Sequence, residues 1–157
     1  MELEWMGKYR NIVEKCIRYG NAYAQNYKTE QFYDFDIPFS PAQLQVLEYI
    51  LENEEKNEPL GTVAKRLGIS QSAFSKNVQK MVDKGLLEKY HLPDNRKTVL
   101  IRCTELGREA YGHYAAFIFE NCFKQLFEIM DTIPMEYVER FAYLMDVAAG
   151  PQTEAAK

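Results

Sequence analysis

Residues 62 to 85, TVAKRLGISQSAFSKNVQKMVDKG, hold two apolar helical stripes separated by only Gly68, Ile69 and Ser70. The first stripe, Val63, Ala64 and Leu67, predicts a short helix over 62–67 that Gly68 stops. The second, Phe74, Val78 and Met81 with Ala73 beside them, follows i, i+4, i+7 spacing. It predicts a longer helix, with Ser70 as the N-cap whose hydroxyl accepts from a free first-turn amide. Gly85 suits the left-handed position just past the last turn. Two short helices on a three-residue, glycine-containing turn make a helix-turn-helix, whose second member usually enters the DNA major groove.

The polar side of that second helix is ordered into columns. Gln71, Ser75 and Gln79 form one, and Ser72, Lys76 and Lys80 form the next. A charged helix face is most often solvated surface and nothing more, so its surroundings have to decide. Between positions 61 and 102 the chain carries nine Lys or Arg and three acids, a net +6. The remaining ten basic and twenty acidic residues give the rest of the chain −10. A basic patch on an acidic body is the electrostatic footprint of a polyanion-binding module, which the overall net charge of −4 conceals.

After Gly85 come LLEKYHL, PDNRK and TVLIRC, two β-forming flanks around turn residues, so a β-hairpin is predicted with Asp94, Asn95, Arg96 and Lys97 at its tip. On either side lie helices. Trp5, Tyr9, Ile12, Cys16, Tyr19 and Tyr23 recur at spacings of three and four, which predicts a long amphipathic first helix. Ser40-Pro41-Ala42-Gln43 reads as a capped helix start, and Leu44, Leu47, Ile50 and Leu51 supply its buried face. Thr104 caps a further helix predicted to run from Glu105 to about Met130. That helix is apolar on several sides, with Tyr111, Tyr114, Ile118 and Cys122 on one and Phe119, Phe123, Leu126 and Met130 on another. It must be covered around most of its circumference, and a chain of this size has few elements left, so a second subunit is the natural cover. Pro134 opens the last helix, and residues 151–157 read as a flexible tail.

Composition narrows the alternatives. Hydrophobic content of 46% and aromatic content of 13% exclude a disordered chain. No apolar run is long enough to cross a bilayer, and the start MELEWMGKYR lacks the apolar stretch of a signal peptide, so no membrane association is expected. Three scattered cysteines fit the reducing cytoplasm. With two histidines, His91 and His113, no metal site is expected, and no cofactor. No glycine-rich phosphate loop, HExxH motif or cysteine–histidine pairing is present, so the chain is not expected to be an enzyme.

The expected fold is therefore mainly α: a winged helix-turn-helix with a small β-hairpin wing, flanked by long N- and C-terminal dimerisation helices. Residues 37–103 form the DNA-binding domain, and residues 1–36 and 104–150 the helical dimerisation region. The stretch VAKRLGISQSAFSKNVQKMVDKGLLEKYHLPDNRKTVLIRCTELGREA resembles the MarR family of bacterial transcription regulators. The likeness rests on SQS opening the fourth helix, KGLLEKY leading into the wing, DNRK at its tip and CTELGREA beyond it. Three positions depart from the family pattern: Lys76 where arginine is common, Asn77 where an apolar residue is usual, and Cys103 where leucine is preferred.

The resemblance implies a homodimer on a palindromic operator, with many members being repressors released by a small aromatic or acidic ligand. Double-stranded DNA would be contacted by Gln71, Ser72, Ser75, Lys76, Gln79 and Lys80 of the recognition helix and by Asn95, Arg96 and Lys97 of the wing. Candidates for an effector pocket are Tyr19, Tyr23, Phe32, Tyr33, Phe35 and Phe39, although aromatics near a helix junction are more often core. Cys16 is the candidate redox residue, since one branch of the family senses hydroperoxide from a cysteine in this helix; its plainer role is a small side chain filling a seam. The rival to DNA binding is a winged helix used only to dock other proteins, which would carry a neutral recognition face.

Overall fold

Three hydroxyl side chains set where helices begin. Ser40 Oγ accepts from the Gln43 amide at 3.4 Å while Gln43 Oε1 accepts from the Ser40 amide at 3.1 Å, a reciprocal capping box with Pro41 in the first turn. Ser70 Oγ accepts from Ala73 N at 3.1 Å, and Thr104 Oγ1 from Gly107 N at 3.0 Å. All three starts stand where the spacing of the side chains predicts them.

The structure, a computed structural model, describes residues 4–54, 60–92 and 95–155, with the backbone alone at 4, 60, 61, 92, 95–98 and 151–155. A 3-10 turn (Glu4–Tyr9) leads into α1 (Arg10–Asn26), and α2 (Pro41–Asn53), α3 (Leu60–Arg66) and α4 (Gln71–Asp83) follow. Strands β1 (Leu87–Leu92) and β2 (Asn95–Cys103) pair antiparallel, with Glu88 opposite Arg102 and Tyr90 opposite Leu100. Then come α5 (Glu105–Ile118), a π-helical turn (Phe119–Phe123), α6 (Lys124–Met130) and α7 (Met135–Ala155). This is the expected mainly helical winged helix-turn-helix with long helices at both ends.

The core sits under the helix-turn-helix. Phe39, Leu44, Val46 and Leu47 are essentially inaccessible, as are Phe74, Met81, Leu86 and Leu87, and Val63, Ala64 and Val78 close around them. The helical stripes therefore bury as their spacing dictates. Gly68 (φ 65°) and Gly85 (φ 74°) both take the left-handed backbone that ends one helix and lets the chain turn into the next element.

Residues 31–39 close a loop between α1 and α2. Gln31 and Phe39 exchange backbone hydrogen bonds of 3.1 Å each. This pins the alternation of the loop's side chains: Phe39 and Tyr33 go inward, whereas Phe32 stays 65% exposed. Tyr33 meets Tyr114 and Phe117 edge-on at 5.1 and 5.4 Å, so residues assigned from sequence to the dimerisation region complete the winged-helix core.

Three expectations are corrected. The helix predicted from Glu105 to Met130 is broken by the π turn, where the Lys124 amide donates to the carbonyl of Phe119, five residues back. A single extra residue is absorbed there. The last helix continues to Ala155, where a tail was expected from residue 151; Pro151 forfeits one intrahelical hydrogen bond without ending the helix. Asn95, Arg96 and Lys97 belong to β2 rather than to the turn, since Asn95 already pairs with Leu92; Asp94 lies outside the described residues. Cys122, on one apolar side of the helix predicted from Glu105 to Met130, is exposed on the single chain.

The outer helices are uncovered. Neither α1, the π turn nor α6 holds a buried residue. Trp5, Tyr9, Ile17, Tyr19, Leu126, Phe127, Ile129, Phe141, Leu144 and Val147 are all more than a third exposed. An apolar surface of this extent along three helices is far beyond the scattered hydrophobes of an ordinary monomer surface.

Candidate nucleic-acid interface

Helix α4 buries Phe74, Val78 and Met81 against α2 and β1, which leaves its opposite side outward. Gln71, Ser72, Ser75, Lys76, Gln79 and Lys80 are all exposed there. The structure thus brings all six helix residues selected from sequence onto one accessible face. Such a face offers amide and ammonium donors to base-edge acceptors and phosphates, with two serines small enough to permit close approach.

Gln79 is not idle in the free protein. Its Nε2 donates to Asp83 Oδ1 at 2.7 Å and its Oε1 accepts from Lys89 Nζ at 2.5 Å. Both ends of the amide are engaged, so pairing with a base requires those partners to be exchanged. Lys89 lies on β1, and this bond ties the recognition helix to the hairpin. Spacing alone did not reveal it, because Lys89 reads as one more strand cation.

On the hairpin, Arg102 Nε donates to Glu88 Oε1 at 2.7 Å and its guanidinium sits 5.1 Å from the Tyr90 ring centre. This cross-strand pairing stiffens the base of the wing. The side chains of Asn95, Arg96 and Lys97 lie outside the described residues; their backbone opens β2.

Two polar braces hold the unit together, both missed from sequence because their members are far apart along the chain. At the end of α4, Lys84 Nζ donates to Glu30 Oε1 at 2.9 Å, to the Pro38 carbonyl at 2.5 Å and to Gln43 Oε1 at 3.4 Å. Gln43 Nε2 completes the ring by donating to Glu30 Oε1 at 2.9 Å, and Gln43 itself is 1% exposed. The Lys84 hydrogen bond holds the Glu30 carboxyl below its ordinary pKa. At the end of α2, Glu54 Oε1 accepts from the Cys103 amide at 2.7 Å while its other oxygen pairs with Arg108. Burial pushes the Cys103 thiol up to about 11, which leaves it an unreactive packing group.

The structure divides the six candidate pocket aromatics into separate groups. Tyr33 and Phe39 stack at 5.2 Å inside the core, and Phe35 lies 6.4 Å from Phe39 and 5.3 Å from His113. Tyr19 and Tyr23 stack at 6.4 Å on α1, and Tyr23 continues to Tyr27 at 5.5 Å. Phe32 joins neither group by any ring contact among the described residues. Burial, with Tyr27, Tyr19 and Tyr33 adding to it, pushes the Tyr23 phenol up to about 12, and Gln45 Nε2 donates to its oxygen. Cys16 is half-buried on α1. Among the described residues, no group of three or more His, Cys, Asp and Glu side chains could hold a metal ion. No described helix is long and apolar enough to cross a membrane.

Comparison with known proteins agrees with this arrangement. The sequence model of the MarR family matches residues 37–97, from the loop before α2 to the start of β2. The chain is 26% identical over 110 residues to the uncharacterised HTH-type transcriptional regulator YhbI of Bacillus subtilis, covering 68% of this chain and 71% of that one. Among solved structures it resembles the PcaV transcriptional regulator of Streptomyces coelicolor in complex with its natural ligand (TM-score 0.61, 19% identity, 97% of this chain and 96% of that one). It also resembles wild-type Lactococcus lactis ZitR in complex with DNA (TM-score 0.63, 18% identity, 92% and 98%). These relatives are transcription regulators, not enzymes. Residues 37–97 thus match the MarR family, and the chain has the fold of winged helix-turn-helix regulators over most of its length.

Proposed function

We propose that the protein is a cytoplasmic, homodimeric repressor that binds a palindromic operator and is released by a small aromatic or acidic effector. The observation that carries DNA binding is the face of α4, where six polar side chains stand exposed on a segment of net charge +6. A protein-docking winged helix has no use for lysines along that face. The uncovered apolar surface on α1, α6 and α7 supports the homodimer, because burying it between two copies removes it from water and sets two α4 helices at a fixed separation. The effector reading draws on PcaV, solved with its natural ligand, and on the tyrosine group at the end of α1.

Footprinting on the DNA flanking the chain's own gene, with sedimentation of the free protein, tests this reading. Protection of two symmetric half-sites about one helical turn apart, by a dimer, is the expected result. A protein that retards no duplex yet captures a protein ligand through α4 would be a docking module instead. A screen of aromatic carboxylates and phenols for release of the bound operator then tests the effector.

A further inference from the structure

A cleft of about 380 Å³ opens beside the recognition helix, between its outer face and the junction of α1 with α2. Its walls include Ser72, Lys76 and Lys80 of α4, Ser40 before α2, and Tyr27 and Lys28 just past α1. Three ammonium groups from two separate parts of the chain therefore line one depression. Lys28, Lys76 and Lys80 are exposed, and among the described residues none is in an ion pair. Glu30, the carboxylate whose charge Lys80 also feels, is already held by Lys84 at 2.9 Å. Among the described residues, the lining of the cleft thus carries three cations and no carboxylate.

Lys28 is held in place by its neighbours. The Ala42 amide donates to the Tyr27 carbonyl at 3.0 Å, and Thr29 N closes a turn onto Asn26 O at 3.0 Å. These bonds clamp the backbone on both sides of Lys28 to the start of α2 and the end of α1. A lysine on a clamped turn loses less freedom on meeting an anion than one on a loose loop. The rest of the cleft belongs to the face that would lie along a major groove, so whatever borders that groove passes over it.

We infer that this cleft seats a phosphodiester of the operator strand bordering the groove entered by α4, with Lys28 as a DNA contact outside the winged helix. The inference rests on the DNA-binding reading above and deepens it. One ammonium on the dimerisation side of the molecule and two on the recognition helix would hold the same stretch of backbone. Ser72 adds a hydroxyl donor. Such a contact carries no sequence information; it fixes register and adds affinity to any duplex.

The test is a salt titration of full-length wild type, Lys28→Gln, Lys28→Arg and Lys124→Gln on an operator duplex and on a scrambled duplex. Lys124 pairs with Glu120 on the remote helix and serves as the control for removal of a charge. Lys28→Gln should weaken both duplexes several-fold by the same factor and make the salt slope shallower by about 0.9 for each phosphate no longer neutralised. Lys28→Arg should restore both affinity and slope, and Lys124→Gln should change neither. An unchanged slope for Lys28→Gln, or an altered base preference, would overturn the inference while leaving DNA binding intact. Failure of wild type to bind any duplex would sink the regulator reading and this phosphate site with it. Saturable binding of inorganic phosphate at constant ionic strength, abolished in Lys28→Gln while DNA affinity stays the same, would mark the cleft as a small-anion site and reject the backbone contact.

Discussion

The Lys84 ammonium lies 2.9 Å from Glu30 Oε1, joining the last turn of the recognition helix to a residue 54 positions earlier. Since Lys84 also holds the Pro38 carbonyl and the buried amide of Gln43, it fastens α4 to the loop between α1 and α2. Lys84→Met should destabilise the fold by about 1–3 kcal/mol, since buried acceptors lose their donor. The acid side of the pair gives a pH signature. The folded-state pKa of Glu30 is depressed by the lysine hydrogen bond, so its contribution is full above the ordinary carboxylate range and disappears as pH falls through the depressed value. Glu30→Gln should flatten the stability profile as pH falls through and below the ordinary carboxylate range, read by urea denaturation at a series of pH values. A profile identical to wild type would show the brace to be energetically idle.

Gly107 has no room for a side chain. A Cβ built there would stand 2.1 Å from the Leu86 carbonyl oxygen and 2.7 Å from Cys103 Sγ. Alanine would ordinarily strengthen a helix by up to about 1 kcal/mol over glycine. Here the backbone of Leu86 must move, and Gly107→Ala should destabilise by about 1–3 kcal/mol or more. Thermal denaturation reads the sign directly.

Leu126 and Phe127 are both 45% exposed on one chain, where a charge would cost little. If two copies cover this face, Leu126→Asp buries an unpaired carboxylate at a cost of several kcal/mol. Sedimentation should then show dissociation or loss of folded protein at micromolar concentration. A Leu126→Asp variant that stays dimeric would move the interface elsewhere.

Gln79→Ala separates reading from bracing. Removal of a base contact should change the preferred base at one position of each half-site by about 1–3 kcal/mol while leaving scrambled DNA bound as before. Lys89→Met removes the partner that holds the Gln79 amide through the 2.5 Å bond and should leave that base preference in place. Selection on randomised operators distinguishes the two outcomes. Equal base preference in wild type and Gln79→Ala would confine this side chain to its bonds with Asp83 and Lys89.

What could be read from the sequence is what repeats along it. The stripe of Phe74, Val78 and Met81, the caps at Ser40, Ser70 and Thr104, and the paired flanks of the hairpin all follow from local spacing and side-chain chemistry. The outward columns of α4 follow from the same periodicity, which is why all six residues chosen there are found exposed. The rest depended on residues meeting across long separations. Lys84 with Glu30, Arg108 with Glu54 and Lys28 beside Lys76 have no periodic signal, and a cation on paper does not announce its partner. The ring contacts among the aromatic candidates were hidden for a related reason: the Gln31–Phe39 bridge decides which rings point inward, and no spacing rule anticipates a bridge of one residue pair.

The π turn at Phe119–Phe123 works as an angular offset within what would otherwise be one rod. Each residue of an α-helix advances the side-chain direction by about 100°; a π turn takes up one surplus residue without that advance, so the sequence beyond it is set back by about that angle from the register of an unbroken α-helix. Before the turn, Tyr111, Tyr114 and Phe117 face the chain's own core; after it, Leu126, Phe127 and Ile129 face away. Deleting a single residue from the turn would restore an unbroken α-helix with α6 and α7 facing as they do now, whereas forcing the same residues into unbroken α geometry would swing them through roughly a quarter of a revolution. In that second case the winged helix would keep its core, but the outward stripe would aim in a new direction. The aim of the stripe is thus set by how one turn takes up a single residue.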